Sequence, residues 1–208
     1  MAAPIVPGFT DALLVLDYFG IAVFAVSGAL VAAERRLDFV TFVFFAAVTG
    51  VGGGTLRDLL VGAPVFWVHN NGTLLICIAA AVAVWFLSTR RIAGNALAWF
   101  DAAGLVAYAT YGSAKAMGYG VSPVPAFAMG VLTACFGGIV RDVLAGEPSI
   151  LMRRELYVTA AALSAGSFVG LKLVDAPLWV AAGIAVCAGL ALRAGAILRG
   201  WSLPVYKD

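Results

Sequence analysis

The sequence is poor in charge: lysine, arginine, aspartate and glutamate together make up 12% of 208 residues, against 63% apolar residues, with a formal net charge of +2. A soluble domain needs a polar face on each element, and long stretches here have none, so the chain reads as an integral membrane protein. There is no basic stripe, which excludes nucleic acid as a partner. The three cysteines, Cys77, Cys135 and Cys187, are odd in number and sit singly in apolar stretches. They read as small buried side chains and not as a disulfide frame. There is one histidine, His69, in a polar stretch with Asn70 and Asn71, so no transition-metal site is expected. Ser27, Ser88 and Ser164 lack a histidine base, so no enzyme of the serine or cysteine type is expected and no cofactor is implied. A basic region ahead of the first apolar run is missing too, and that run is expected to stay in the protein.

What is present is seven apolar spans, roughly 16–33, 39–56, 73–88, 98–116, 124–141, 156–174 and 177–195. Breaks such as Glu34-Arg35-Arg36, Gly62-Ala63-Pro64, Thr89-Arg90-Arg91 and Ser122-Pro123 separate them. Several are close to the ~17-residue minimum for a crossing. With the N-terminus outside, Arg35, Arg36, Arg90, Arg91, Arg141, Arg153, Arg154, Arg193, Arg199 and Lys207 fall on the inner side, and only Arg57, Lys115 and Lys172 on the outer. The bias predicts N-terminus out and C-terminus in. Trp67, Trp179 and Trp201 fall near span ends, as interfacial aromatics do.

The chain also repeats itself without a gap. At an offset of 84 positions, Asp17 falls on Asp101, Gly20 on Gly104, Phe24 on Tyr108 and Gly28 on Gly112. At the same offset Gly53-Gly54 fall on Gly137-Gly138, Arg57-Asp58 on Arg141-Asp142, Gly62 on Gly146 and Pro64 on Pro148. Each copy holds three spans, and three is odd, so the second copy enters from the opposite side. The expected fold is all-α: an inverted 3+3 repeat, residues 14–90 and 98–174, with a seventh helix over 177–195.

Gly52-Gly53-Gly54 and Gly137-Gly138 occupy matching places in the second and fifth spans. Two readings are open: broken or sharply kinked helices whose freed carbonyls line an ion path, or close helix packing through small residues. Thr49, Thr55 and Thr133 put hydroxyls beside the glycines, able to coordinate a partly dehydrated monovalent cation or to bond back to their own helix. Arg57 and Arg141 follow in the last turn and could snorkel, pair with a carboxylate or charge a pore. Asp58 and Asp142 point about 100° away from them, so their partners are expected on other helices. Asp17 and Asp101 are the candidate partners of Arg57 and Arg141, one cluster near each mouth. Lys115 reads first as an interfacial anchor, second as a charge that senses voltage or repels cations.

Glycine pairs followed by Arg-Asp in both halves of a seven-span inverted repeat resemble the bacterial branch of the trimeric intracellular cation channel family. Sequences of that branch are also labelled UPF0126 or glycine transporter domain proteins. The resemblance covers roughly residues 14–195. It implies a homotrimer in the bacterial inner membrane, with one hourglass pore per subunit between the first, second, fourth and fifth helices. It also implies constriction at glycine-kinked helices, passage of potassium or sodium, and a lipid as a further partner beside the bilayer. In animal relatives, basic residues at the kinks bind lipid; here Thr49, Thr55 and Thr133 stand near the kinks without a lysine. A secondary transporter of a small zwitterion such as glycine and a nonconducting scaffold remain as alternatives.

Overall fold

The computed structural model describes residues 10–87, 96–152 and 155–204. Seven α-helices follow one another: α1 (Thr10–Glu34), α2 (Phe39–Val61), α3 (Asn71–Phe86), α4 (Ala96–Gly118), α5 (Pro123–Leu144), α6 (Tyr157–Leu173) and α7 (Leu178–Arg199). A short 3-10 turn, Ile150–Met152, lies between α5 and α6. Of the charges used for orientation, Arg90, Arg91, Arg153, Arg154 and Lys207 lie outside the described residues, as does Ser88.

Local signals explain most of the helix limits. Asp38 caps α2 by accepting from the Thr41 amide at 3.0 Å, and Asn70 caps α3 by accepting from the Gly72 amide at 2.9 Å. Pro123 opens α5, where a missing N–H costs nothing. Helices α2 and α5 run past the limits expected from hydropathy, to Val61 and Leu144, so Arg57 and Arg141 lie inside helix. Just beyond both ends, Gly62 (φ 72°) and Gly146 (φ 68°) adopt the left-handed conformation that only glycine takes without strain. The turn lets Ala63 donate back to Asp58 O at 2.8 Å and Glu147 to Asp142 O at 2.9 Å, the same cap made twice.

Four helices, α1, α2, α5 and α7, are long and apolar enough to cross a membrane by themselves. Helices α3 and α6 are apolar but have 16 and 17 residues. At 1.5 Å per residue they reach about 24–26 Å, short of a ~30 Å hydrocarbon core unless it thins or their ends extend. Helix α4 carries Asp101 and Lys115 and is nearly enclosed by its neighbours; Leu105, Val106, Ala107, Tyr108 and Ala109 are all buried.

Helices α1 and α4, whose sequences correspond at the 84-residue offset, pack on one another. Phe24 of α1 and its counterpart Tyr108 of α4 pack ring to ring, centroids 5.4 Å apart. Gly20 lies against the Tyr108 ring and Gly104 against the Phe24 ring, where an added Cβ would come within 2.7 and 3.0 Å. Tyr108 also donates its hydroxyl to Gly50 O at 3.0 Å, an anchor that phenylalanine at position 24 has no group to reciprocate.

The candidate permeation site

Helices α2 and α5 cross at the glycines, and the crossing is reciprocal. A Cβ on Gly53 would overlap the carbonyl oxygen of Thr133, and one on Gly137 would lie 2.5 Å from the carbonyl oxygen of Thr49. Thr49 and Thr133 are themselves counterparts in the repeat. Gly52 faces Gly137 across the same crossing, with 3.8 Å between the would-be Cβ and the Gly137 Cα. Both helices run through the glycines without a break in their hydrogen bonding, and at this crossing the small residues bring the two backbones together. The physical reason is that side-chain removal on both partners lets two backbones approach, and the backbone hydrogen bonds stay inside each helix. Gly54 and Gly138 do not belong to this crossing: Gly54 abuts the Phe66 ring and Gly138 the Tyr157 hydroxyl.

Thr55 and Thr133 turn their hydroxyls to their own helices, Thr55 to Val51 O at 2.7 Å and Thr133 to Met129 O at 2.6 Å. Thr55 also accepts from the indole of Trp67 at 2.8 Å, so that tryptophan is tied to the bundle. Thr49 is fully buried next to Gly28, whose added Cβ would sit 2.6 Å from the threonine hydroxyl.

A charged cluster closes each end of this packed crossing. At one end Arg57, 1% exposed, donates from Nε to Asp58 at 2.9 Å. At the other, Arg141 donates from Nε to Asp142 at the same 2.9 Å. Each aspartate holds the arginine beside it, where partners on other helices were expected; Asp58 reaches another helix as well, to Lys115 of α4. The long arginine side chain bends round the 100° between neighbours near a helix end, and one carboxylate then serves its neighbour and the chain beyond. Asp58 Oδ2 accepts from the Phe66 amide at 3.1 Å, and Asp142 Oδ2 from the Ile150 amide at 2.8 Å. Each carboxylate thus holds the return loop that the left-handed glycine starts.

The two ends differ in the third residue. Asp101 pairs with Arg141 at 2.6 Å, and Ser27 of the other repeat joins them, accepting from Arg141 and donating to Asp101 at 3.5 Å. Asp17 stands beside Arg57 and Tyr111 without an ion pair, so the Asp17–Arg57 half of the expectation is not met. Tyr111, the counterpart of Ser27, lies under the Arg57 guanidinium at 4.9 Å and takes the space between them. Lys115 replaces the missing bond: it pairs with Asp58 at 2.9 Å and lies 5.6 Å from the Phe66 ring. Its ammonium turns inward, which corrects the interfacial-anchor reading. Its counterpart in the first repeat is Val31, so no lysine stands at the matching place beside Arg141.

Arg193 was assigned to the inner loop set by sequence, and the structure buries it in α7, 0% exposed. It faces Glu155 at 2.6 Å and lies over the Tyr157 ring at 5.3 Å. The available signal was an arginine inside an apolar span, six residues before the helix ends at Arg199. The Arg141 end opens into a cavity of about 310 Å³ that Arg193 also lines. Among the described residues no group of three or more His, Cys, Asp or Glu side chains could hold a metal ion.

Seven helices, a sequence that repeats at an 84-residue offset and charged clusters at both ends of a glycine crossing define a multi-pass membrane protein. The family model described as glycine transporter matches it over residues 14–89 and again over 98–172. A UPF0126 membrane protein of Vibrio cholerae is 43% identical over 157 residues, 73% of this chain and 64% of that protein. The UPF0126 inner membrane protein YadS of Escherichia coli K12 is 40% identical over 148 residues, 70% of this chain and 72% of that one. The crystal structure of a TRIC trimeric intracellular cation channel orthologue from Rhodobacter sphaeroides superposes with a TM-score of 0.87, at 44% identity, over 91% of this chain and 99% of that one. A prokaryotic TRIC channel determined in 0.5 M KCl gives a TM-score of 0.84 at 28% identity, over 92% and 98% of the two chains. The chain belongs to the UPF0126 glycine transporter family, the bacterial branch of the TRIC channels. It is a multi-pass inner-membrane protein. It spans about two thirds of the Vibrio relative's length.

Proposed function

We propose that the protein is a monovalent cation channel, permeable to potassium, with one pore per subunit of a homotrimer. The path runs along the pseudo-twofold region between α2 and α5, past Gly52, Gly53, Gly137 and the Thr49 and Thr133 backbones. The observation that carries this reading is the reciprocal crossing, Gly53 on Thr133 and Gly137 on Thr49, with an Arg-Asp cluster at each end. In the packed state two backbones fill the path, so conduction requires α2 and α5 to separate. The TRIC likeness supports both the cation and the trimer. Residues 14–90 and 98–174 act as the two inverted units and 177–195 as an added helix.

The N-terminus lies outside and the C-terminus inside, which puts the Arg57 end outward and the Arg141 end at the cytoplasm. Planar-bilayer recording of the purified protein in a potassium chloride gradient tests the channel: discrete currents should reverse near the potassium potential and be lost in Gly53→Leu. Saturable, proton- or sodium-coupled glycine uptake in proteoliposomes, with no current, would instead favour the transporter reading, for which the glycine transporter description of the family speaks.

A further inference from the structure

Helix α7 lies outside the duplicated unit, and its buried residues form a strict stripe at every fourth position: Ala181, Ala185, Gly189 and Arg193. The first three let α7 close on α4 and α6. A Cβ on Gly189 would lie 2.9 Å from the Val106 side chain of α4 and 3.0 Å from the Ala160 carbonyl oxygen of α6, and Ser164 donates to Ala185 O at 2.9 Å. Arg193 ends the stripe one turn further on, fully buried, so its charge faces protein and not lipid. It meets the start of α6 twice, pairing with Glu155 at 2.6 Å and covering the Tyr157 ring at 5.3 Å.

Tyr157 carries this contact on to the Arg141 cluster. It is fully buried, with its hydroxyl turned to the Asp101 carboxylate. Hydroxyl and cluster gather round Gly138 of α5: a Cβ there would stand 2.9 Å from the Tyr157 oxygen and 3.6 Å from both Arg141 Nη2 and Asp101 Oδ1. The Arg57 end is built otherwise. Thr73 stands at the place matching Tyr157, its hydroxyl without a hydrogen-bond partner among the described residues, and Gly54 abuts the Phe66 ring instead.

We propose that Arg193 and Tyr157 are positioning residues for the Arg141 cluster, through which α7 latches the end of α5 in the packed state. Arg193 fixes the start of α6, and Tyr157 in turn fixes Asp101 against Arg141 and fills the space beside Gly138. Separation of α2 from α5 must then pull the Arg141 turn off a tyrosine that α7 holds still. The helix outside the repeat thus controls opening, and from one end only. That control rests on the channel reading; the hold on α5 does not.

The test reads two quantities on the full chain: hydrogen exchange in the last turn of α5 in detergent, which needs no current, and open probability in planar bilayers. The variants are Tyr157→Phe, which keeps the ring under Arg193 and removes the hydroxyl, Arg193→Met, and the two together. Each single change should raise exchange at residues 141–144 and open probability about fivefold, as loss of one buried polar contact does, with unit conductance and reversal potential unchanged. The double variant should do no more than either alone, because both act through one contact. Arg193→Lys, which keeps a cation at the ring, should lose less than Arg193→Met. Ser164→Ala removes the α6–α7 hydrogen bond away from the cluster, and should lower the melting temperature while leaving exchange and opening as they are. If Tyr157→Phe and Arg193→Met behave like Ser164→Ala, or if their effects add in the double variant, the two residues are packing alone and the latch is overturned. Currents in variants whose α5 exchange is unchanged would keep the channel and overturn the latch as well. Faster α5 exchange in a protein that passes no current would keep the hold on α5 and remove the channel reading alone.

Discussion

Asp58 and Asp142, one in each half of the chain, each hold an arginine on one oxygen and a returning backbone amide on the other. Removing Asp58 leaves the buried Arg57 without its carboxylate partner, whereas Arg141 keeps Asp101 when Asp142 is lost. Asp58→Asn should destabilise by about 3 kcal/mol, because Arg57 and Lys115 both depend on that carboxylate. Asp101→Asn should cost less, since Arg141 keeps Asp142. Thermal unfolding of the purified variants in one detergent measures the difference; equal costs would show that Lys115 does not lean on Asp58.

The glycine crossing separates neighbours that look alike in the sequence. Gly53→Ala drives a methyl into the Thr133 carbonyl, and Gly137→Ala one toward the Thr49 carbonyl, so both should lower the melting temperature by several degrees. Gly52→Ala meets only the Gly137 Cα at ordinary contact distance and should be tolerated. If all three variants melt alike, α2 and α5 do not cross as described.

Tyr108 offers a smaller probe of the same axis. Tyr108→Phe keeps the ring beside Phe24 and Gly20 and loses the bond to Gly50 O, for a cost of about 1 kcal/mol. Tyr108→Ala removes the ring as well and should cost clearly more. Comparing the two by thermal unfolding separates hydroxyl from ring.

Asp38 gives the expected pH response of the α1–α2 corner. Its carboxyl is held below the ordinary value of 3.8 by hydrogen bonds from the Thr41 amide and hydroxyl. A folded value below the unfolded one means that the cap stabilises fully above pH 3.8 and stops doing so as pH falls through the folded value. After correction for the pH dependence of intrinsic amide exchange, protection at the start of α2 should therefore fall in acid in the native protein and stay unchanged in Asp38→Ala.

Much of this architecture was readable in the sequence, because spacing survives in three dimensions. The 84-residue offset matched Phe24 with Tyr108 and Gly53 with Gly137; that Phe24 and Tyr108 touch, and that Thr49 and Thr133 meet the glycines of the opposite helix, is seen only in the structure. Direction was not readable. Arg57 could have reached lipid, Asp17 or Asp58, and only the return loop after Gly62 shows why Asp58 holds it: the same carboxylate is needed by the Phe66 amide. Asp17 lost its expected partner to Tyr111, a ring where the other half has Ser27, and a change of side chain beside a matched pair of charges is a signal that hydropathy does not weigh. Arg193 was assigned by its distance from the C-terminus, whereas the helix that carries it continues six residues further.

The enclosed position of α4 bears on how the chain enters the membrane. During synthesis this helix emerges with an acid near one end and a base near the other, and its apolarity alone does not commit it to lipid. The base finds Asp58 on a helix already made. The acid has to wait for Arg141, which emerges forty residues later. The fourth helix therefore settles only when the fifth arrives, and a ribosome halted between them would leave the second repeat outside the bilayer core.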